Sequence, residues 1–217
     1  MKLKKDTTDQ KLRGAYYTPL QLSNAMVSFF VEDNIKNILE PSCGDGVFVD
    51  SIIQKGLLND SISITAIEIE ESEAEKVKGR YKNQNINVLN KDFFDFYKEN
   101  YNEMKYDLIL GNPPYIRYQY LTEKQREIQS EILTTHGMKS NKLINAWVAF
   151  LVACIHMLND NGKIAFVVPA EILQVAYAED LRKFLSNELS KITLIAFEKL
   201  VFPDIEQEVL IFIGEKG

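Results

Sequence analysis

Asn37-Ile38-Leu39-Glu40-Pro41-Ser42-Cys43-Gly44-Asp45-Gly46 is the stretch from which the architecture can be read. Residues 37–40, with Ile38 and Leu39 at their centre, read as a short strand. Pro41 ends the run, and Gly44 and Gly46 allow the backbone a sharp turn. A helical stretch follows, from Val47 to about Lys55. Strand, glycine turn and helix form the opening unit of a doubly wound α/β sheet, in which ligands bind at the carboxyl ends of the strands. The spacing is neither G-x-G-x-x-G nor that of a P-loop, because no G-K-[ST] follows, so phosphate cradling is not the favoured reading.

Downstream, residues 62–69 read as a second strand ending at Glu68-Ile69-Glu70, and a charged helix spans about 71–81. A third strand, 86–89, leads into Asn90-Lys91-Asp92-Phe93-Phe94. The fourth carries Asp107-Leu108-Ile109-Leu110-Gly111-Asn112-Pro113-Pro114-Tyr115. Its apolar centre suits a buried parallel strand. The two prolines end it as a stiff hook, since neither has an N–H and Pro114 holds Pro113 out of the α region. The hook presents an amide, Asn112, and a ring, Tyr115. An amide oxygen and a backbone carbonyl can accept both protons of a planar amine while a ring stacks on its plane. A Pro-Pro turn that merely ends a strand is the alternative.

Residues 116–142 are polar, with Thr122-x-x-Gln125 as a capping box. They carry Arg117, Lys124, Arg126, His136, Lys139 and Lys142, which suit either a solvated helix or a surface facing nucleic acid. Residues 143–158 form a nearly all-apolar helix, and 164–168 a fifth strand. Tyr177, Leu181, Phe184 and Leu185 lie on one face of a further helix. Residues 192–197 and 209–213 are two more strands, joined by a connection too short for a crossover helix, so that pair is antiparallel. Upstream, residues 1–13 are basic and polar, as in a solvated terminus. Thr18 and Pro19 suit the N-cap and first position of a helix running to about Val31, with Leu22, Met26 and Phe29 on one face. The expected fold is α/β, a Rossmann-like, seven-stranded, mostly parallel sheet with one reversed strand.

With 217 residues, 46% hydrophobic, the chain suits one large domain with a full core. Cys43 and Cys154 make neither a disulfide framework nor a metal pattern and are compatible with a reducing cytoplasm. The polar N-terminus has no signal-peptide core, and the uncharged run 143–159 is too short for a membrane span. A net charge of −6 argues mildly against a nucleic-acid partner, although charge distribution matters more than the total.

The ordered set of motifs resembles the gamma-class adenine-N6 DNA methyltransferases of type II restriction–modification systems. It consists of Gly14-Ala15-Tyr16-Tyr17-Thr18-Pro19, residues 39–46, Ala66-Ile67-Glu68-Ile69, Lys91-Asp92-Phe93, residues 107–115, 162–169 and Val201-Phe202-Pro203. The resemblance implies S-adenosylmethionine (SAM) as cofactor and the fold of SAM-dependent methyltransferases. It implies that Glu68, beside Ile69, accepts the ribose hydroxyls, and that Asp92 accepts the adenine amine while Phe93 packs on the ring. Gly44 and Gly46 admit the methionine part, whose charged ends fall to Glu40 and Thr18, with Tyr16 and Ser42 close by. Phe150 and Trp147 suit a wall of the pocket or the core. For catalysis it implies Asn112, Pro113, Pro114 and Tyr115, with Asn112 also bordering the cofactor and with Tyr115 and Phe202 on the faces of a flipped-out adenine. Asp92 as a helix N-cap and Phe202 as a core residue stay open.

The implied partner is DNA, and the implied place of action the cytoplasm. Residues 1–217 are expected to be a single catalytic domain, with the target-recognition domain or specificity chain outside this sequence. Two alternatives remain: a glutamine-N5 protein methyltransferase, which shares an Asn-Pro-Pro-Tyr hook, and an inactive SAM-binding subunit of a modification complex.

Overall fold

A computed structural model describes residues 17–82, 84–140, 144–173, 178–198, 201 and 208–217. Seven strands, β1 (Asn37–Glu40), β2 (Ser63–Glu68), β3 (Ile86–Asn90), β4 (Tyr106–Gly111), β5 (Leu158–Pro169), β6 (Leu189–Ala196) and β7 (Val209–Lys216), lie in one sheet. Their order is β3-β2-β1-β4-β5-β7-β6. All pairings from β3 to β5 are parallel, while β7 runs antiparallel to both β5 and β6. The expected reversed strand is therefore β7. The fifth strand is longer than expected and starts at Leu158.

Helices α1 (Leu20–Ser28), α2 (Val47–Gln54) and α3 (Glu71–Arg80) cover one face of the sheet, and α4 (Phe93–Asn100), α5 (Glu123–Thr135), α6 (Ala146–His156) and α7 (Ala178–Glu188) cover the other. Each layer buries its own apolar cluster against the sheet, the arrangement expected when both faces of a parallel sheet are hydrophobic. The strand order reverses between β1 and β4, which places a crevice at their carboxyl ends.

Several local expectations are corrected. Thr18 is not the N-cap of α1; Pro19 takes that position, and the Thr18 hydroxyl is used elsewhere. α1 ends at Ser28, and Phe29 is exposed, while Phe30 is the aromatic buried below it. The helix α4 was foreshadowed only by Asp92 as a possible N-cap. Phe93, Phe94, Phe96 and Tyr97 form its buried face, with Asp92 as N-cap. Tyr177, Lys142 and Leu143 lie outside the described residues.

The basic stretch after the hook is less available than its composition suggests. The capping box of α5 is formed by Thr122 and Gln125 as expected. Lys124 pairs with Asp95 at 2.8 Å, Arg126 donates to the Tyr118 and Gln119 carbonyls, and His136 packs on His156 and Phe184. α5 is thus docked on α4 and α6 through four buried residues, Ile128, Gln129, Ile132 and Leu133, rather than offered as a bare cationic face.

Candidate active site

Three acidic side chains mark the carboxyl ends of the first three strands: Glu40 ends β1, Glu68 ends β2, and Asp92 follows β3. Asn112 follows β4 directly. These four come from separate parts of the chain, and only the parallel pairing of the strands brings them to one edge.

Glu68 is held from two sides. Its Oε2 accepts the Gly44 N–H at 2.7 Å and its Oε1 the Glu70 N–H at 2.8 Å. Burial nonetheless raises its pKa above the usual carboxylate range, outweighing both bonds, which favour the charged form. Gly44 and Gly46 have φ of +52° and +83°, values an L side chain adopts only with strain. A Cβ on Gly46 would also stand 3.2 Å from the Val77 methyls. The two glycines thus turn the loop tightly enough to aim the Gly44 N–H at Glu68.

Glu40 is 1% exposed, and neither carboxyl oxygen has a hydrogen-bond partner among the described residues. Burial first, then the charges of Asp45, Glu68 and Asp50, lift its pKa well above the ordinary range. Asp45 is raised too, chiefly by burial. A carboxyl held in this way favours a cationic ligand, because a nearby positive charge would stabilise its ionised form.

A cleft, partly open to solvent, lies beside these groups. Ser42, Glu68, Ile69, Asp92, Phe93, Pro114 and Phe150 all line it, so seven residues expected from the sequence converge on one cavity. Phe93 and Phe150 stack with ring centroids 4.7 Å apart and planes 21° apart. Trp147 does not line the cleft; it is fully buried and its Nε1 donates to Glu171 at 3.2 Å. Asp92 is the N-cap that one reading allowed, and it also lines the cleft. Its Oδ1 accepts the Phe94 N–H as the N-cap of α4, and its Oδ2, at the cleft, accepts Gln125 Nε2 at 2.9 Å.

The hook is braced at each end. Asn112 Nδ2 donates to the buried Thr18 hydroxyl at 3.2 Å, and Ser42 Oγ donates to the Asn112 carbonyl at 3.3 Å. Pro113 is buried and Pro114 half-buried. Tyr115 OH donates to the Val167 carbonyl in β5 at 3.0 Å, and the Ile116 carbonyl accepts the Ala146 N–H at the start of α6. The ring of Tyr115 is therefore fixed against the sheet edge rather than swinging in solvent.

Tyr16 and Phe202 lie outside the described residues. The neighbouring Tyr17 reaches the glycine loop, its Cε1 3.9 Å from where a Cβ on Gly44 would stand. Sequence reasoning missed Leu121, Gln125 and Gln129, which line the cleft from α5 and the turn before it. The Thr122-x-x-Gln125 pattern signalled a helix start, but nothing in it signalled a ligand.

The family described as Eco57I restriction-modification methylase matches residues 50–202, well over half of the chain. The chain belongs to this family. It is 32% identical over 205 residues to the type II methyltransferase M.HincII of Haemophilus influenzae, covering 94% of this chain and 37% of that protein. It is 33% identical over 195 residues to the type II methyltransferase M.AccI of Acinetobacter calcoaceticus, covering 87% and 34%. The chain thus spans about a third of the length of these curated relatives. Among solved structures, the methyltransferase subunit of a type I restriction-modification system from Streptococcus thermophilus superposes with a TM-score of 0.75 at 19% identity, over 93% of this chain and 45% of that one. The fold of this Eco57I-family chain is that of SAM-dependent methyltransferases, as expected. Among the described residues no helix is long and apolar enough to cross a membrane.

Proposed function

We propose that this chain binds SAM and directs methyl transfer to N6 of an adenine flipped out of DNA, as the catalytic domain of a restriction–modification methyltransferase. The observation that carries the reading is the Asn112 amide, fixed by Thr18 at the end of β4 beside a cleft of carboxylates and stacked rings.

The residues fit SAM. The partnerless carboxyl of Glu40 suits an ammonium group, and Glu68, pinned by two backbone N–H groups, keeps lone pairs for a ribose diol. Phe93, Ile69 and Phe150 make an apolar slot for a flat base, with Asp92 at its edge for an exocyclic amine. The raised carboxyls around the glycine loop favour a cation. When bound, SAM supplies a methyl group activated by its sulfonium charge.

The chain's own residues do the rest. Asn112 Oδ1 and the Pro113 carbonyl accept the two protons of the target amine, holding the nitrogen lone pair toward the cofactor side. As positive charge develops on that nitrogen, both hydrogen bonds strengthen, so they favour the transition state over the ground state. Tyr115, anchored at Val167, offers a ring for stacking on the base. Pro113 and Pro114 keep the hook stiff, so little reorganisation is needed.

In this reading the duplex is gripped by a target-recognition part outside these 217 residues, in keeping with the net charge of −6 and the paired cations of α5. Flipping a base costs a few kcal/mol that contacts to the duplex must recover. A cytoplasmic site of action goes with a DNA substrate. Family membership favours DNA over a protein glutamine as the amine donor.

The test is methyl transfer from isotope-labelled SAM by the full-length protein containing this chain, with nucleosides identified by mass spectrometry. N6-methyladenine is expected. Asn112→Ala should lower turnover about 10²–10³-fold, the usual effect of removing one preorganised hydrogen-bonding group, while calorimetry finds SAM binding retained. Label on a protein glutamine would move the reading to the protein methyltransferases. Intact SAM binding without transfer to any acceptor would make the chain a binding subunit.

A further inference from the structure

α5 presents two amides to the cleft one helical turn apart, Gln125 and Gln129. Gln125 is fully engaged. Its backbone N–H donates to Thr122 Oγ1 at 3.2 Å, its Oε1 accepts the Thr122 N–H at 3.1 Å, and its Nε2 donates to Asp92 Oδ2 at 2.9 Å. Gln129 is different. It is 6% exposed, yet its Nε2 has no hydrogen-bond partner among the described residues. An amide donor buried without an acceptor is costly, and native structures seldom leave one so. Gln129 lines the ligand cleft, and its unmet donor is buried in the cleft wall.

We propose, on the basis of the SAM reading above, that Gln129 is a further cofactor-binding residue, whose Nε2 donates to a ring nitrogen of the adenine beside the amine accepted by Asp92. Next to its amino group adenine carries a bare acceptor on either side, N1 on one edge and N7 on the other. A carboxylate acceptor beside an amide donor is complementary to either pair. Guanine and hypoxanthine carry a carbonyl where adenine has the amine, so they would set an acceptor against the Asp92 carboxylate. The Asp92–Gln129 pair therefore selects adenine, while Phe93 and Phe150 only select a flat ring. Gln125 is a positioning residue: it holds Asp92 Oδ2 from the α5 side while the Phe94 N–H holds Oδ1, so the carboxylate cannot rotate away.

The test uses the full-length protein and calorimetric dissociation constants for S-adenosylhomocysteine, the product form of the cofactor, and for its 1-deaza, 3-deaza and 7-deaza analogues. Wild type should bind either the 1-deaza or the 7-deaza compound about tenfold more weakly than the parent, and the 3-deaza compound within about twofold. Gln129→Leu should bind the parent about tenfold more weakly and no longer distinguish the penalised analogue. Gln129→Met, closer to glutamine in shape, serves if the leucine variant melts early. The proposal is overturned if wild type binds the parent, 1-deaza and 7-deaza compounds alike, or if the deaza penalty persists undiminished in the variants. Failure of wild type to bind the parent compound would remove the SAM reading itself, a result distinct from any pattern among the analogues.

Discussion

Thr18 and Asn112, 94 residues apart in sequence, are joined by a 3.2 Å hydrogen bond from the Asn112 side-chain amide to the Thr18 hydroxyl. The threonine stands just before the first described helix, and the asparagine just after the fourth strand. The bond closes the edge of the sheet and sets the direction of the asparagine carbonyl oxygen. Thr18 thus acts on the hook, whatever it also contributes to a ligand.

Thr18→Val keeps the shape and removes the acceptor. Turnover should fall about five- to tenfold, corresponding to a net hydrogen bond of about 1 kcal/mol, with the SAM dissociation constant little changed. Thr18→Ser should restore turnover. Steady-state kinetics with separate titration of SAM distinguishes this from a loss of cofactor binding.

Asp92 serves as helix cap and cleft acceptor at once, and the two roles can be separated. Asp92→Ser keeps a capping hydroxyl but shortens the reach into the cleft. SAM affinity should drop about 10–100-fold, for a lost hydrogen bond of about 1–3 kcal/mol, with little change in melting temperature. Asp92→Ala should lose the cap as well, worth about 1 kcal/mol and about 2–4 °C in a chain of this size. Calorimetry and thermal melts together test the division.

Glu40 places function against stability. Its folded-state pKa is raised, so its contribution to stability is fully present below the unfolded value of 4.5 and is lost as pH rises toward and through the folded value. Glu40→Gln removes that loss. Without ligand, the variant should melt higher than wild type at pH 7–8, by about 2–4 °C for each kcal/mol regained, and the gap should close toward pH 4.5. The same variant should bind SAM more weakly, since the partner proposed for the ammonium is gone. A lower melting point at pH 7–8 would show that the carboxyl is not costly in the fold.

His156 controls the acid side. Burial, then the charges of Lys105, His136 and Lys216, bring its pKa down from 6.5 to about 4. Its Nδ1 shares a 2.7 Å hydrogen bond with Tyr97 OH. A depressed folded pKa means stability present above the unfolded value of 6.5 and lost as pH falls from there through about 4. His156→Gln can keep a bond to Tyr97 but cannot titrate. Denaturant midpoints should therefore fall less steeply for the variant than for wild type between pH 6.5 and 4.

The local signals in the chain were strong where one physical cause dominates. Leu108, Ile109 and Leu110 are apolar without alternation because β4 is buried on both faces, and the prolines after them can only end a strand. The short connection before Val209 forced β7 to run against its neighbours. Glu68 and Asp92 were legible as strand-end acids, and the order of motifs identified the family before any contact was known. Where two causes compete, pattern alone fell short. Thr18-Pro19 satisfies the local rule for a helix start, but a buried hydroxyl is better used on Asn112. Phe29 and Phe30 are equally apolar, and only packing chose Phe30 for the core. The same holds for Phe150 at the cleft and Trp147 in the interior, three residues apart on one helix. The amides of α5 are the clearest case. Sequence determined that Gln125 would cap a helix, because a capping box is made by residues three apart. That Gln125 also holds Asp92, and that Gln129 brings an unmet donor to the same cleft, was decided by the docking of α5 on α4, since polar satisfaction depends on neighbours that sequence spacing does not specify.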